Sequence, residues 1–224
     1  MDQAMTMKPY KGIGMNGPVA KWYASMTRKS MPEFTALARR VADEVPDGAR
    51  VLEVAPGPGY FSIELAKLGR HRVTGLDISP SFVKIGRRNA AQAGVSVAFQ
   101  EGNASAMPFP SQSFDFILCR AAFKNFAEPV KALEEMYRVL DTNGRALIID
   151  LRGDVPPKQL DAAVNEWKLS GVNTVLTKLT FRFMLLKRAY TTEQFRELLS
   201  HTKFQSVDIK EFVIGLEVSL QRTA

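Results

Sequence analysis

The sequence predicts an α/β protein built on a doubly wound, mostly parallel sheet of seven strands, closed at one edge by an antiparallel hairpin. Three observations carry that expectation. Short, nearly continuous apolar runs at 51–54, 72–77, 114–119 and 146–150 alternate with segments of helical period, as buried parallel strands alternate with crossover helices. The first run ends in Ala55-Pro56-Gly57-Pro58-Gly59, a Pro/Gly turn that leads straight into an amphipathic segment. The last two apolar runs, 207–214 and 216–220, flank Gly215 as the arms of a hairpin do.

Taken in order, residues 1–16 carry no period and read as a flexible arm. A first helix starts at Gly17-Pro18, with proline in the first turn, and a second is capped by Ser30 with Pro32 and Glu33 behind it. That second helix continues through Phe34, Leu37, Ala38 and Val41. Pro46-Asp47-Gly48 turns the chain into strand one, and the helix after the glycine turn runs over 61–68. Strand two ends at Asp77. Ser79-Pro80 then caps a helix through Phe82, Val83, Ile85 and Ala90 that stops at Gly94. Strand three is expected at 95–100, a loop at 101–113 and strand four at 114–119. Glu128-Pro129 opens a helix with Val130, Leu133, Met136, Tyr137 and Leu140 on one face, and Thr142-Asn143-Gly144 closes it before strand five. Between about 154 and 189 the alternation breaks. Val172, Val175, Leu176, Leu179, Phe183 and Leu186 fall at helical spacing among Lys178, Arg182, Lys187 and Arg188, which reads as an inserted cover. A capped helix from Thr191 to about His201 precedes the hairpin.

Composition bounds the function. With 224 residues, 46% of them apolar, the chain holds one domain: an arm with two helices over 1–45 and a core over 46–224. One cysteine and two histidines leave no disulfide framework and give no expectation of a metal site. The N-terminus lacks the apolar core of a signal peptide, and no stretch has the length of a membrane span, so a cytoplasmic protein is expected. A net charge of +7 favours acidic partners in general. No dense Lys/Arg run with interleaved aromatics marks a nucleic-acid surface, while the cations flanking the apolar face of the insertion leave contact with a membrane surface open.

Ligands of doubly wound sheets bind outside the carboxyl ends of the strands. Asp77, about twenty residues after the glycine turn, stands where a carboxylate hydrogen-bonds a ribose diol. A nicotinamide dehydrogenase fits poorly, because the third glycine of its fingerprint falls at Ser62 and Pro56 and Pro58 offer no N–H to a pyrophosphate. His71 begins strand two, at the opposite end of the sheet, and reads as structural.

The glycine turn, Asp77, Gly102-Asn103, the fourth strand and the hairpin together resemble the class I S-adenosylmethionine-dependent methyltransferases over roughly residues 45–222. The resemblance implies S-adenosylmethionine as cofactor. It assigns Glu53 to the ammonium of the methionine moiety, Gly57 and Gly59 to a close backbone approach, and Asp77 to both ribose hydroxyls. Asn103 stands where the family carries an aspartate facing the adenine amine, and its carbonyl can accept the same bond. By the same likeness Ile78 packs on the adenine, the Ala104 amide faces its edge, and Cys119 and Arg120 line the pocket. Ala55 replaces the motif's first glycine. The motif for methylating exocyclic amines of nucleic acids is missing, which favours a small, at least partly apolar acceptor over nucleic acid or protein. A non-catalytic nucleoside-binding protein on the same fold is the alternative from another class. Candidate acceptor residues are Tyr10, Trp22 and Tyr23 from the arm and first helix, and Leu179 and Phe183 from the insertion. No catalytic base stands out, Lys124 being the weak candidate and equally explained as a surface residue.

Overall fold

The computed structural model describes residues 10–11, 14–167 and 171–223, so most of the expected flexible arm lies outside the described residues. Helices α1 (Gly17–Thr27) and α2 (Met31–Glu44) lead into β1 (Arg50–Val54), α3 (Tyr60–Lys67), β2 (Arg72–Asp77), α4 (Pro80–Gln92) and β3 (Ala98–Glu101). After the crossing comes β4 (Phe114–Arg120), α5 (Pro129–Val139) and β5 (Leu140–Leu151). The insertion comprises α6 (Pro157–Glu166) and α7 (Gly171–Thr180), the latter prolonged by a π turn over Phe181–Leu185 and a 3-10 turn over Leu186–Arg188. Helix α8 (Thr192–Ser200) and the hairpin β6 (Ser206–Glu211) and β7 (Gly215–Gln221) complete the chain.

The seven strands stand in the order β3-β2-β1-β4-β5-β7-β6, the first five parallel and β7 antiparallel to both neighbours. Strand order reverses between β1 and β4, so the carboxyl end of β1 is the switch point where a ligand crevice opens. Two apolar layers sandwich the sheet. Phe116, Leu118 and Val51 meet α2 and α3 on one face, while Leu52, Ile117 and Ile148 meet α5 and α8 on the other. The alternation of strand side chains between faces dictates this division.

Several boundaries depart from expectation for physical reasons. Strand β3 starts at Ala98, three residues late, and pairs with β2 only over Thr74 to Asp77. Leu140 lies in β5, opposite Phe114, and not on the helix face; Asn143, at φ 63°, makes an irregular step before the ladder resumes at Arg145. Ser30 does not cap α2 with its side chain, since a 3-10 turn over Arg28–Ser30 runs directly into the helix. Ser79 does cap α4, accepting from the Phe82 amide, and Thr191 and Gln194 form a reciprocal capping box on α8.

Candidate functional site

The site is assembled where β1 and β2 end. Ala55, Gly57 and Gly59 all have positive φ, at 57°, 56° and 78°, so the backbone coils left-handedly through the turn. The Gly57 N–H donates to Asp77 Oδ2 at 2.9 Å and the Ser79 N–H to Oδ1 at 2.8 Å. Asp77 therefore ties the glycine turn to the start of α4, and each carboxylate oxygen keeps a second lone-pair position for an incoming hydroxyl. Burial pushes its carboxyl up to about 6, against the pull of the Ser79 and Gly57 amides.

Glu53, 3% exposed, accepts from the Ser62 amide at 3.1 Å and from the Ser62 hydroxyl, so it satisfies the third amide of α3. Among the described residues it has no ion pair. Burial pushes it up to about 7, and Ser62 and the more distant Arg120 offset only part of that. A buried carboxylate lacking a cation fits an ammonium, and a paired acceptor on Asp77 fits a diol, so the residues present suit a sulfonium amino-acid nucleoside.

Around the rim, Ile78 is half-buried beside Asp77 and Ala104 is buried. The Asn103 carbonyl accepts from the Ser105 amide at 3.0 Å, which fixes its orientation and leaves one lone pair free. Cys119 is fully buried near the end of β4, within the apolar core, and burial drives its thiol well above the usual range. Arg120 reaches to Glu33 at 2.9 Å and lies over the Phe34 ring, 4.6 Å from its centroid.

Lys124 is no surface residue. It is 4% exposed, its ammonium bonded to Asp150 Oδ1 at 2.7 Å and to the Ala121 carbonyl at 2.6 Å. The Lys124 amide completes the grip on Asp150 Oδ2 at 2.9 Å. This buried pair fastens the ends of β4 and β5 beside Ala121, a second alanine held at positive φ. Asp150 was open to the reasoning that found Asp77, being a carboxylate that ends an apolar strand; Lys124 was hidden because its partner lies 26 residues on.

Of the expected acceptor residues, the structure brings two to the strand ends. Tyr10 bridges Phe126, and the Tyr23 ring packs edge-on against Phe82, with Cε1 3.8 Å from where a Cβ on Gly57 would stand. Burial raises both phenols above their ordinary value. Trp22, Leu179 and Phe183 stand exposed, at 62%, 46% and 56%. His71 touches the Val45 carbonyl at the opposite end of the sheet, near a cleft of about 600 Å³ lined by Gly48, Asn143 and Arg145. That cleft lies at the amino ends of the strands, the wrong side for ligands of this fold.

Residues 52–148, the stretch that holds this geometry, match the family described as methyltransferase domain. Over that stretch the chain is similar to the class I S-adenosylmethionine-dependent methyltransferases. Among curated relatives, a demethylmenaquinone methyltransferase of Deinococcus radiodurans is 38% identical over 102 residues, 45% of this chain and 42% of that protein. One of the same name from Thermus thermophilus is 37% identical over 123 residues, 54% of this chain and 55% of its own length. The chain thus spans about half the length of the curated relatives it matches. The fold is also that of a putative S-adenosyl-L-methionine-dependent methyltransferase from Methanococcus maripaludis, at TM-score 0.72 and 18% identity over 98% of both chains.

Proposed function

We propose that this protein transfers the methyl group of S-adenosylmethionine to a small, at least partly apolar acceptor. The observation that carries the reading is the pair of buried carboxylates, Glu53 and Asp77, flanking a left-handed glycine turn at the switch point of the sheet. When bound, the cofactor would supply an activated sulfonium methyl open to in-line attack by an acceptor nucleophile, the acceptor–carbon bond forming as the carbon–sulfur bond breaks and its electron pair leaves with the neutral thioether. Glu53 holds the ammonium, Asp77 the ribose diol, and Asn103 the adenine amine. Ile78, Ala104 and Cys119 provide the apolar walls, and Arg120 supplies positive charge at the rim. Tyr10 and Tyr23 close over the turn and exclude water, so catalysis comes chiefly from proximity and orientation.

The relatives' names are quinone-directed, which supports an apolar ring as the acceptor. Calorimetry with S-adenosylmethionine and S-adenosylhomocysteine tests the cofactor site. Binding is expected for both and none for NAD, and Asp77→Ala should lose roughly 2–4 kcal/mol by removing two charge-assisted hydrogen bonds. Binding of NAD alone would overturn the reading. A labelled-methyl assay on a panel of quinone precursors then tests the acceptor.

A further inference from the structure

The insertion carries an apolar face that the protein itself does not cover. On α7 and its π extension, Val175, Leu176, Leu179 and Phe183 recur at spacings of three to four residues, and with Met184 they stand 46% to 61% exposed. The opposite side of the same helix is anchored. Phe181 packs edge-on against Trp167, and Lys178 and Arg182 both reach Asp161 on α6. An amphipathic helix with its polar and packed side turned inward and its large apolar side chains turned to water needs a low-dielectric partner.

The charge pattern identifies that partner. Between Glu166 and Glu193 the sequence has no Asp or Glu but has Lys168, Lys178, Arg182, Lys187 and Arg188. Lys187 stands exposed beside the apolar face, its ammonium 5.7 Å from the centre of the Phe183 ring. An apolar stripe with the exposed Lys187 at its border, in a stretch without acidic residues on a chain of net charge +7, matches a surface that is apolar within and anionic at its boundary. We infer that the outer face of α7 and its π extension docks on an anionic lipid bilayer. The inference deepens the proposed function: an apolar acceptor dissolved in the bilayer would reach the strand ends past the segment that rests on the lipid.

Co-sedimentation with vesicles tests it without any methyl-transfer readout. The intact chain should pellet with phosphatidylcholine vesicles containing phosphatidylglycerol and at least tenfold more weakly with phosphatidylcholine alone, as about fivefold per nearby cation requires. Val175→Asp with Met184→Asp, two exposed positions outside the site, should abolish pelleting while leaving calorimetric S-adenosylhomocysteine binding unchanged. Lys187→Glu should weaken pelleting several-fold and steepen its loss with lipid dilution. Failure of the intact chain to pellet with anionic vesicles overturns the inference, as does unchanged pelleting of the double variant. So does a dimer, seen by light scattering, that vesicles do not dissociate and the double variant loses, because a second copy would then be the occupant. Failure of the intact chain to bind S-adenosylhomocysteine would instead strike the proposed function and leave the vesicle result standing.

Discussion

Ala55 shows what a single residue reveals about the turn. Its φ of 57° is a conformation that costs a residue with a Cβ about 1–2 kcal/mol, and glycine nothing. The turn therefore holds an alanine in a conformation that suits glycine. Ala55→Gly should stabilise the protein by about 0.5–1 kcal/mol in urea unfolding, the relief of strain exceeding the extra entropy of an unfolded glycine. Unchanged or lowered stability would show that the alanine methyl makes compensating contacts. Glu53 gives a second test. Its carboxyl is raised from an ordinary 4.5 to about 7 by burial, so the folded chain holds a proton that the unfolded chain has released between those values. Its contribution is thus greatest at acid pH, falls as pH rises from about 4.5 to 7 by roughly 3 kcal/mol, and is flat above. Pairing with an ammonium needs the carboxylate, so S-adenosylhomocysteine affinity should rise from pH 5.5 to 7.5 with proton release, measured by calorimetry in buffers of different ionisation heat. Glu53→Gln should flatten that pH dependence and raise Tm at pH 8, and an unaltered profile would remove Glu53 from the ammonium site.

At the scale of elements, one aromatic ring organises the cofactor side of the sheet. Phe99 of β3 lies beneath Gly59, Gly75 and Gly86, where added Cβ atoms would stand 2.4, 2.7 and 2.9 Å from its ring. The glycine turn, β2 and α4 converge on this ring with no room for a methyl between them. Gly75 is the informative position because its φ is ordinary, so substitution there reports space and not backbone strain. Gly75→Ala should cost about 1–3 kcal/mol from overpacking. Combined with Phe99→Leu, the loss should be less than the sum of the two single losses, whereas additive losses would mean that the ring and the methyl do not meet. Such convergence explains how far the sequence could be read. Strands β1, β2 and β4, the Ser79 cap and the Thr191 box are decided by neighbours within a few residues, and they were legible. The start of β3, the burial of Lys124 and the exposure of α7 depend on partners far along the chain. Asp77 was legible because strand, turn and carboxylate fall within about 25 residues, while the placement of Tyr10 beside Phe126 and of Tyr23 over Gly57 depends on contacts with residues far along the chain.

For the whole molecule, the question is whether the arm and the insertion act as one cover. They are physically joined: the Arg188 guanidinium donates to the Lys11 carbonyl at 3.1 Å, and the Lys11 ammonium donates to the Tyr190 hydroxyl at 3.1 Å. The Lys11 amide in turn donates to the Asn125 carbonyl at 2.7 Å, beside the buried Lys124–Asp150 pair. Tyr23 on α1 already lies over Gly57, so a ligand on the glycine turn must contact or displace it, and any ordering of α1 and the arm passes to the insertion through Lys11 and Arg188. Adding S-adenosylhomocysteine should therefore slow hydrogen exchange across residues 17–28 and 171–188 together, on top of protection at Gly57 and Asp77. Arg188→Ala, which removes one tie and touches neither Glu53 nor Asp77, should leave protection at 17–28 and Gly57 intact while most of the response at 171–188 disappears. Protection confined to the glycine turn in the unmodified chain would mean that the site forms without this cover, and acceptor selection would then have to be sought elsewhere.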